Sequence, residues 1–263
     1  MTFELLVLFI AGFLGGILNS VAGGGSFITF PALLFAGVPP IIANATNTFA
    51  SSAGYISGTF AFRKEIMAHK TELLKITILS LIGGIAGAWL LLQTPEAVFM
   101  EAVPWLLLFA TLLFIFGGQL NSSLKKLATI HRHASSMGTL LLALLLLGVA
   151  IYGGFFNAGL GIITLSYLAL AGYSDINVMN GLKLLVSSLV SLIAIILFMI
   201  DGAIDWYSGT IVLLGSLAGG YVAAILSKKL PQQAVRLFVI FASIAITAYF
   251  FYDTYGSAFS GLN

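Results

Sequence analysis

Lys183 stands about six residues into the apolar run 177–200, about 9 Å from its start at the rise of an α-helix. An ammonium at that depth is costly to desolvate and by default marks a site. Two roles suit it: neutralising an anionic substrate, or releasing its proton during a transport cycle. Two plainer fates compete, reaching back to an aqueous surface or pairing with Asp175, eight residues earlier. Its counterpart upstream (183 − 47 = 136) is Asn47, equally deep in the run 41–62.

Two glycine-rich stretches supply the other chemistry: Asn19-Ser-Val-Ala-Gly-Gly-Gly-Ser26 and Asn157-Ala-Gly-Leu-Gly161. Each opens a short apolar run. Helix N-termini present unpaired N–H groups and the positive end of a dipole, and glycine lets backbone approach a ligand closely. Gly23, Gly24 and Gly25, with Gly159 and Gly161, are therefore candidates to cradle a small anion. Asn19, Ser26, Thr46 and Asn157 are candidate donors to its oxygens, and Asn47 and Lys183 complete the expected substrate-binding set. The competing reading is that the glycines only permit close helix packing and the polar side chains only satisfy broken backbone. For Gly83, Gly84, Gly87, Gly215, Gly219 and Gly220, packing is the expectation.

No catalytic residue, metal site or cofactor is expected. His69, His131 and His133 fall in connections, and His131-Arg-His133 lacks further ligands. No P-loop, Ser–His–Asp set or HExxH motif occurs. Cysteine is absent, which removes disulfides and thiolate chemistry.

The elements that must hold these residues follow from composition. Of 263 residues, 60% are hydrophobic and 8% charged, and the mean hydropathy is +1.10. Soluble chains carry about 45–50% apolar and about 25% charged residues. Such a chain cannot clothe a water-facing surface, which excludes an ordinary soluble enzyme, a disordered protein and a nucleic-acid binder. The class expected is an all-α polytopic membrane protein with the lipid bilayer as its main partner.

Apolar runs cover 3–21, 25–38, 41–62, 73–92, 102–118, 137–157, 160–172, 177–200, 208–227 and 232–252. Eight approach the length of about 20 residues that crosses the hydrocarbon. The runs 25–38 and 160–172 are shorter and read as half-helices or re-entrant segments, tolerated at depth only inside protein or along a cavity. Leu140 to Leu147 lacks two-residue alternation, against a β-barrel. The opening MTFELLVLFI has no basic flank, so the first run is expected to stay in the mature protein.

The halves resemble each other. Gly15-Gly16 with Asn19 recurs as Gly153-Gly154 with Asn157 (157 − 19 = 138). Asn44, Ser51 and Ser52 recur as Asn180, Ser187 and Ser188 (180 − 44 = 136). This ordered series predicts a duplication: a first repeat over 1–120, a basic linker over 121–136, a second repeat over 137–255 and a tail over 256–263. Counting eight crossings makes the repeats parallel, and counting ten elements makes them inverted. The positive-inside rule arbitrates. With both termini outside, the loops 63–75, 119–136 and 228–231 face the cytoplasm and carry or flank ten of the eleven Lys and Arg residues. Two inverted repeats of five elements are expected, with the substrate near the midplane at the breaks. Trp105, Trp206 and Tyr207 read as interfacial anchors.

The run Gly-Gly-Ile-Leu-Asn-Ser-Val-Ala-Gly-Gly-Gly-Ser-Phe, then Pro31-Ala-Leu-Leu, Gly37-Val-Pro-Pro40 and Ala43-Asn-Ala-Thr-Asn-Thr48, resembles the TauE/SafE sulfite exporter family, also called the toluene-sulfonate uptake permease group. The second half, through Asn157-Ala-Gly-Leu-Gly161 and Asn180-Gly-Leu-Lys183, resembles that family's second repeat more loosely. The resemblance covers nearly the whole chain. It implies a carrier of sulfite, sulfoacetate or another sulfonate in the cytoplasmic membrane of a bacterium or archaeon. It fixes neither the substrate nor the direction.

The function expected is a secondary transporter of a small sulfur-containing anion, working by alternating access. The proton is one candidate coupling ion, although no buried carboxylate offers an obvious relay. The alternatives are an anion channel or a carrier of a non-sulfur anion. An intramembrane enzyme would need more convergent catalytic groups, and a scaffold would ignore anions. The small-residue face Gly83-x-x-x-Gly87 permits a homodimer without demanding one.

Overall fold

The computed structural model describes residues 2–21, 24–130, 136–226 and 232–260. Gly23, His131, His133, Lys228 and Lys229 lie outside the described residues, as does the end of the tail.

The described residues form helices and no strand. In the first half these are α1 (Thr2–Val21), α2 (Ser26–Phe35), α3 (Pro40–Ala61), the single turn α4 (Arg63–Met67), α5 (Lys70–Gln93) and α6 (Glu96–Ile130). The second half contains α7 (Ser136–Phe155), α8 (Leu160–Leu170), α9 (Ile176–Ile200), α10 (Trp206–Leu226) and α11 (Gln232–Ser260). The expected runs each fall on one of these helices. Two connections differ from the sequence reading: the loop 63–75 contains α4, and α6 continues as helix through Ile130 into the basic linker. Neither segment carries the Gly or Pro that would stop a helix there.

Local chemistry explains the boundaries. Pro40 opens α3 at the first helical position, where a missing N–H costs nothing. Asp175 caps α9 by accepting from the amides of Asn177 and Val178. The short helices end identically. Gly37 follows α2 at φ +81° and Gly172 follows α8 at φ +92°, a region that glycine enters without strain. In each case the next amide reaches back five residues, Val38 to the Leu33 carbonyl and Tyr173 to Leu168. Both half-helices are thereby stopped about half a membrane long.

Packing pairs elements from opposite halves. α1 lies along α10 and α5 along α7, while α3 packs on α9 and α6 on α11. Glycine makes the first two pairs close. A side chain on Gly12 or Gly16 would strike the carbonyl of Val212 or Ser216, and one on Gly215 or Gly219 would strike Phe9 or Phe13. Gly83, Gly87 and Gly154 do the same between α5 and α7, and Gly84 packs on α9. These glycines serve helix packing, as expected. The face of Gly83 and Gly87 considered for a second copy is covered by α7 of the same chain.

Among the described residues, five helical segments are long and apolar enough to cross a membrane: Lys70–Gln93, Glu96–Gly117, Gly138–Phe155, Ile176–Ile200 and Leu237–Gly256. α3 is 22 residues long but falls outside that set. Its Asn44, Thr46, Asn47, Thr48, Ser51 and Ser52 are polar and buried, so they face protein and not lipid. Large apolar side chains, among them Leu144, Leu214 and Phe241, point outward as a hydrocarbon solvent requires. Trp206 and Tyr207 are exposed at the start of α10, whereas Trp105, also exposed, lies nine residues into α6, so its place is not the helix end that an interfacial anchor was expected to take.

Candidate functional site

α2 and α3 both approach the second break inside the helix bundle. Phe30 of α2 packs edge-on against Phe156 of the second break, with ring centroids 5.6 Å apart. Asn44 of α3 donates its Nδ2 to the carbonyl of Phe155 at the end of α7 (2.8 Å). That bond satisfies a carbonyl which the helix terminus leaves without a partner.

At the first break, Gly24 has φ +124° and its successor Gly25 lies against Gly15 of α1. A side chain on Gly25 would run into the Gly15 carbonyl and the Asn19 carboxamide. Glycine is required here for close approach as well as for conformation. Asn19 Oδ1 accepts from the Gly25 amide (2.9 Å) and the Gly24 amide (3.3 Å). In this conformation, then, the α1 side chain caps the loop that leads into α2. Asn47, 1% exposed, faces the same helix from α3. Its Nδ2 donates to Ser26 Oγ (3.2 Å), and its Oδ1 accepts from Thr29 Oγ1. Asn47, Ser26, Asn19, Gly24 and Gly25 are thus brought together. Thr46, one residue from Asn47, points to the other side. Its Oγ1 accepts from the Asp205 amide (3.0 Å) and holds the connection between α9 and α10.

At the second break, Gly159 has φ +81° and packs on Ala110 of α6. Asn157, 2% exposed, reaches across the protein. Its Oδ1 accepts from Tyr55 Oη of α3 (3.0 Å), and its Nδ2 donates to Ser191 Oγ of α9 (3.1 Å). Tyr152 Oη donates to the Ala158 carbonyl (2.7 Å). The break is therefore held by three helices. Gly161, in the first turn of α8, faces the stem of Lys183: a Cβ there would lie 3.4 Å from Lys183 Cδ, an ordinary contact. Lys183 Nζ donates to Asn180 Oδ1 (3.3 Å). Asp175 is spent on its cap, and among the described residues no carboxylate pairs with Lys183.

The geometry offers an anion one positive charge beside a short-helix N-terminus at the second break, and hydroxyl and carboxamide groups at the first. Among the described residues, no three His, Cys, Asp or Glu side chains converge as metal ligands would. His69 lies edge-on to Tyr173 at 5.4 Å. Sequence reasoning did not assign Thr29, Asn44, Tyr55, Asn180 or Ser191 to the site. For Tyr55 and Ser191 a signal existed: they stand apart by the offset of the expected repeat (191 − 55 = 136). Thr29 had none.

Residues 8–250 match the model of a family described as sulfite exporter TauE/SafE. A probable membrane transporter protein of Haemophilus influenzae is 29% identical over 251 residues, 95% of each chain. The probable membrane transporter protein YfcA of Escherichia coli K12 is 29% identical over 95% of this chain and 90% of its own. A probable membrane transporter protein of a Sinorhizobium species is 28% identical, covering 94% and 92%. No solved structure matches.

Proposed function

The chain belongs to the TauE/SafE sulfite exporter family, and from that premise we propose that it is a secondary transporter of a small sulfur-containing anion. It is a multi-pass membrane protein of a transporter family. Sulfite, sulfoacetate or another sulfonate is held near the midplane between the two breaks, and alternating access moves one set of helices against the other. The observation that carries this reading is Lys183. Its stem lies against the first turn of α8, and its ammonium, on a half-buried side chain, donates to Asn180 without a carboxylate partner among the described residues. A cation so placed attracts an anion and repels a cation, and charge-assisted hydrogen bonds are the strong ones.

The pairing of α1 with α10 and of α5 with α7 supports two repeats related by a two-fold operation, because it exchanges the first element of each half with the fourth of the other. The contact between Thr111 Oγ1 and Thr247 Oγ1 (3.1 Å), 136 residues apart, lies where such an axis passes. With the repeats inverted, both termini are outside a bacterial or archaeal cytoplasmic membrane. A chain without cysteine makes single-cysteine labelling clean. An impermeant thiol reagent added outside should label Asp201→Cys and spare Lys228→Cys in intact cells. Outside labelling of Lys228→Cys would exclude the inverted arrangement.

The substrate is tested by thermal unfolding of purified protein with sulfite, sulfate, thiosulfate, sulfonates, carboxylates and chloride. A ligand of the folded state alone adds about 2.7 kcal/mol at one hundred times its Kd. The expected result is a shift confined to sulfur oxyanions and lost in Lys183→Ala. A shift of equal size with carboxylates or chloride would replace the sulfur anion with another.

A further inference from the structure

Asn19 and Asn157 hold equivalent places in the two halves, and their carboxamides do opposite things. The Asn19 side chain turns back onto its own loop and takes the amides of Gly24 and Gly25. The Asn157 side chain is drawn off its loop by Tyr55 and Ser191. Asparagine ordinarily folds back on amides two or three residues ahead, the pattern that makes it a cap and turn former. The Leu160 amide is already given to the Asn157 carbonyl (3.2 Å) and the Ile162 and Ile163 amides to the Gly159 carbonyl, so the amide that the Asn157 side chain would take is that of Gly159, and something holds it away. The two groups that do so complement it atom by atom. The Tyr55 hydroxyl donates to Oδ1, and the Ser191 hydroxyl accepts from Nδ2. Tyr55 and Ser191 are themselves repeat equivalents (191 − 55 = 136), one on α3 and one on α9. Gly159, at the N-cap of α8, has no side chain with which to accept from the first-turn amides. Lys183 lies against Gly161 in that same turn.

We infer that Tyr55 and Ser191 are positioning residues, which hold the Asn157 carboxamide off its own loop and so keep the Gly159 amide, with that of Gly161 at the start of α8, open to the substrate anion beside Lys183. In this conformation the second break is the receptive one, and the first is closed by Asn19. The inference rests on the anion-carrier reading for its ligand, but the side-chain arrangement does not depend on it.

Removing the Tyr55 hydroxyl leaves Asn157 Oδ1 buried with an unmet acceptor, and the Gly159 amide, two residues ahead, is the donor that an asparagine ordinarily takes. Hydrogen exchange of the full chain in detergent reads this directly, on peptides spanning 158–163. The expected result for Tyr55→Phe is slower exchange there, by about fivefold for one net hydrogen bond of about 1 kcal/mol. Ser191→Ala should act in the same direction. A merely structural loss would speed exchange, so the sign separates the two. Adding Asn157→Ala to Tyr55→Phe should abolish the slowing. Titration with methanesulfonate and with sulfite supplies the second readout. Tyr55→Phe should weaken binding about fivefold when Asn157 is present and leave it unchanged when Asn157 is Ala, the non-additivity of residues acting through one another. Unchanged or faster exchange in both single variants would overturn the inference. Slower exchange in a wild-type background that binds neither anion would uphold the positioning role and overturn the sulfur-anion substrate.

Discussion

At the first break, α1 and α2 are locked to each other within one half: Gly25 lies on Gly15, and Asn19 caps the loop between them. At the second break, the equivalent asparagine is committed to α3 and α9, and the α7 terminus is bonded to α3 through Asn44. The hydrogen bonds described at the first break all come from its own half. The second is bonded to both halves and has the half-buried Lys183 beside it. Similar sequence motifs thus take different partners: one asparagine caps the loop into a short helix, and the other bonds two distant helices. The contrast also bears on transport. If the halves are the inverted pair proposed above, exchanging their two conformations would open the opposite side.

The largest test of this contrast is steric. Gly25→Val places a branched side chain where backbone already stands, and overpacking of this kind costs about 3 kcal/mol or more. Thermal unfolding should fall steeply, or the protein should fail to accumulate in the membrane. A stable Gly25→Val protein would show that the Gly15–Gly25 approach is not what holds α2.

The second test compares Asn47 with Lys183. Asn47→Ala strips partners from Ser26 and Thr29 and is expected to cost about 1–3 kcal/mol of stability. Its effect on anion affinity should be the smaller one. Lys183→Ala should do the reverse, lowering affinity by about 1.5–3 kcal/mol, the worth of a hydrogen bond to a charged group, with little loss of stability. Measuring both quantities in both variants sharpens the comparison. Equal effects on binding would mean the two half-sites share the substrate evenly.

The smallest effect is expected at Gly161→Ala. The added methyl meets only the flexible stem of Lys183 at 3.4 Å, and Gly161 lies within a helix, where Ala is the better former. Stability should stay within about 1 kcal/mol of wild type or rise slightly. A large loss at Gly161 would erase the distinction from Gly25.

Much of this was legible along the chain. The short lengths of α2 and α8, the glycine breaks before them and the isolated depth of Lys183 can be read from linear spacing. The polar face of α3 was visible as Asn44, Thr46, Asn47, Thr48, Ser51 and Ser52, but not its division of labour. Thr46 and Asn47 are adjacent, and one residue of helix turns a side chain by about 100°. Only packing decides that Asn47 meets α2 while Thr46 meets the α9–α10 connection. The dimer face suggested by Gly83 and Gly87 shows the same limit, because a small-residue stripe does not say whether its partner lies in the same chain.

The sequence by itself determined a membrane-embedded helical class and the places where helices must break. Those follow from hydropathy and backbone freedom, which are properties of each residue and its neighbours. Tertiary structure alone decided which donor meets which acceptor. Tyr55 and Asn157 are 102 residues apart, and their bond exists only because α3 is packed beside the second break. Inside a bilayer no water can satisfy a stray carboxamide, so the partner that packing supplies sets where that side chain points.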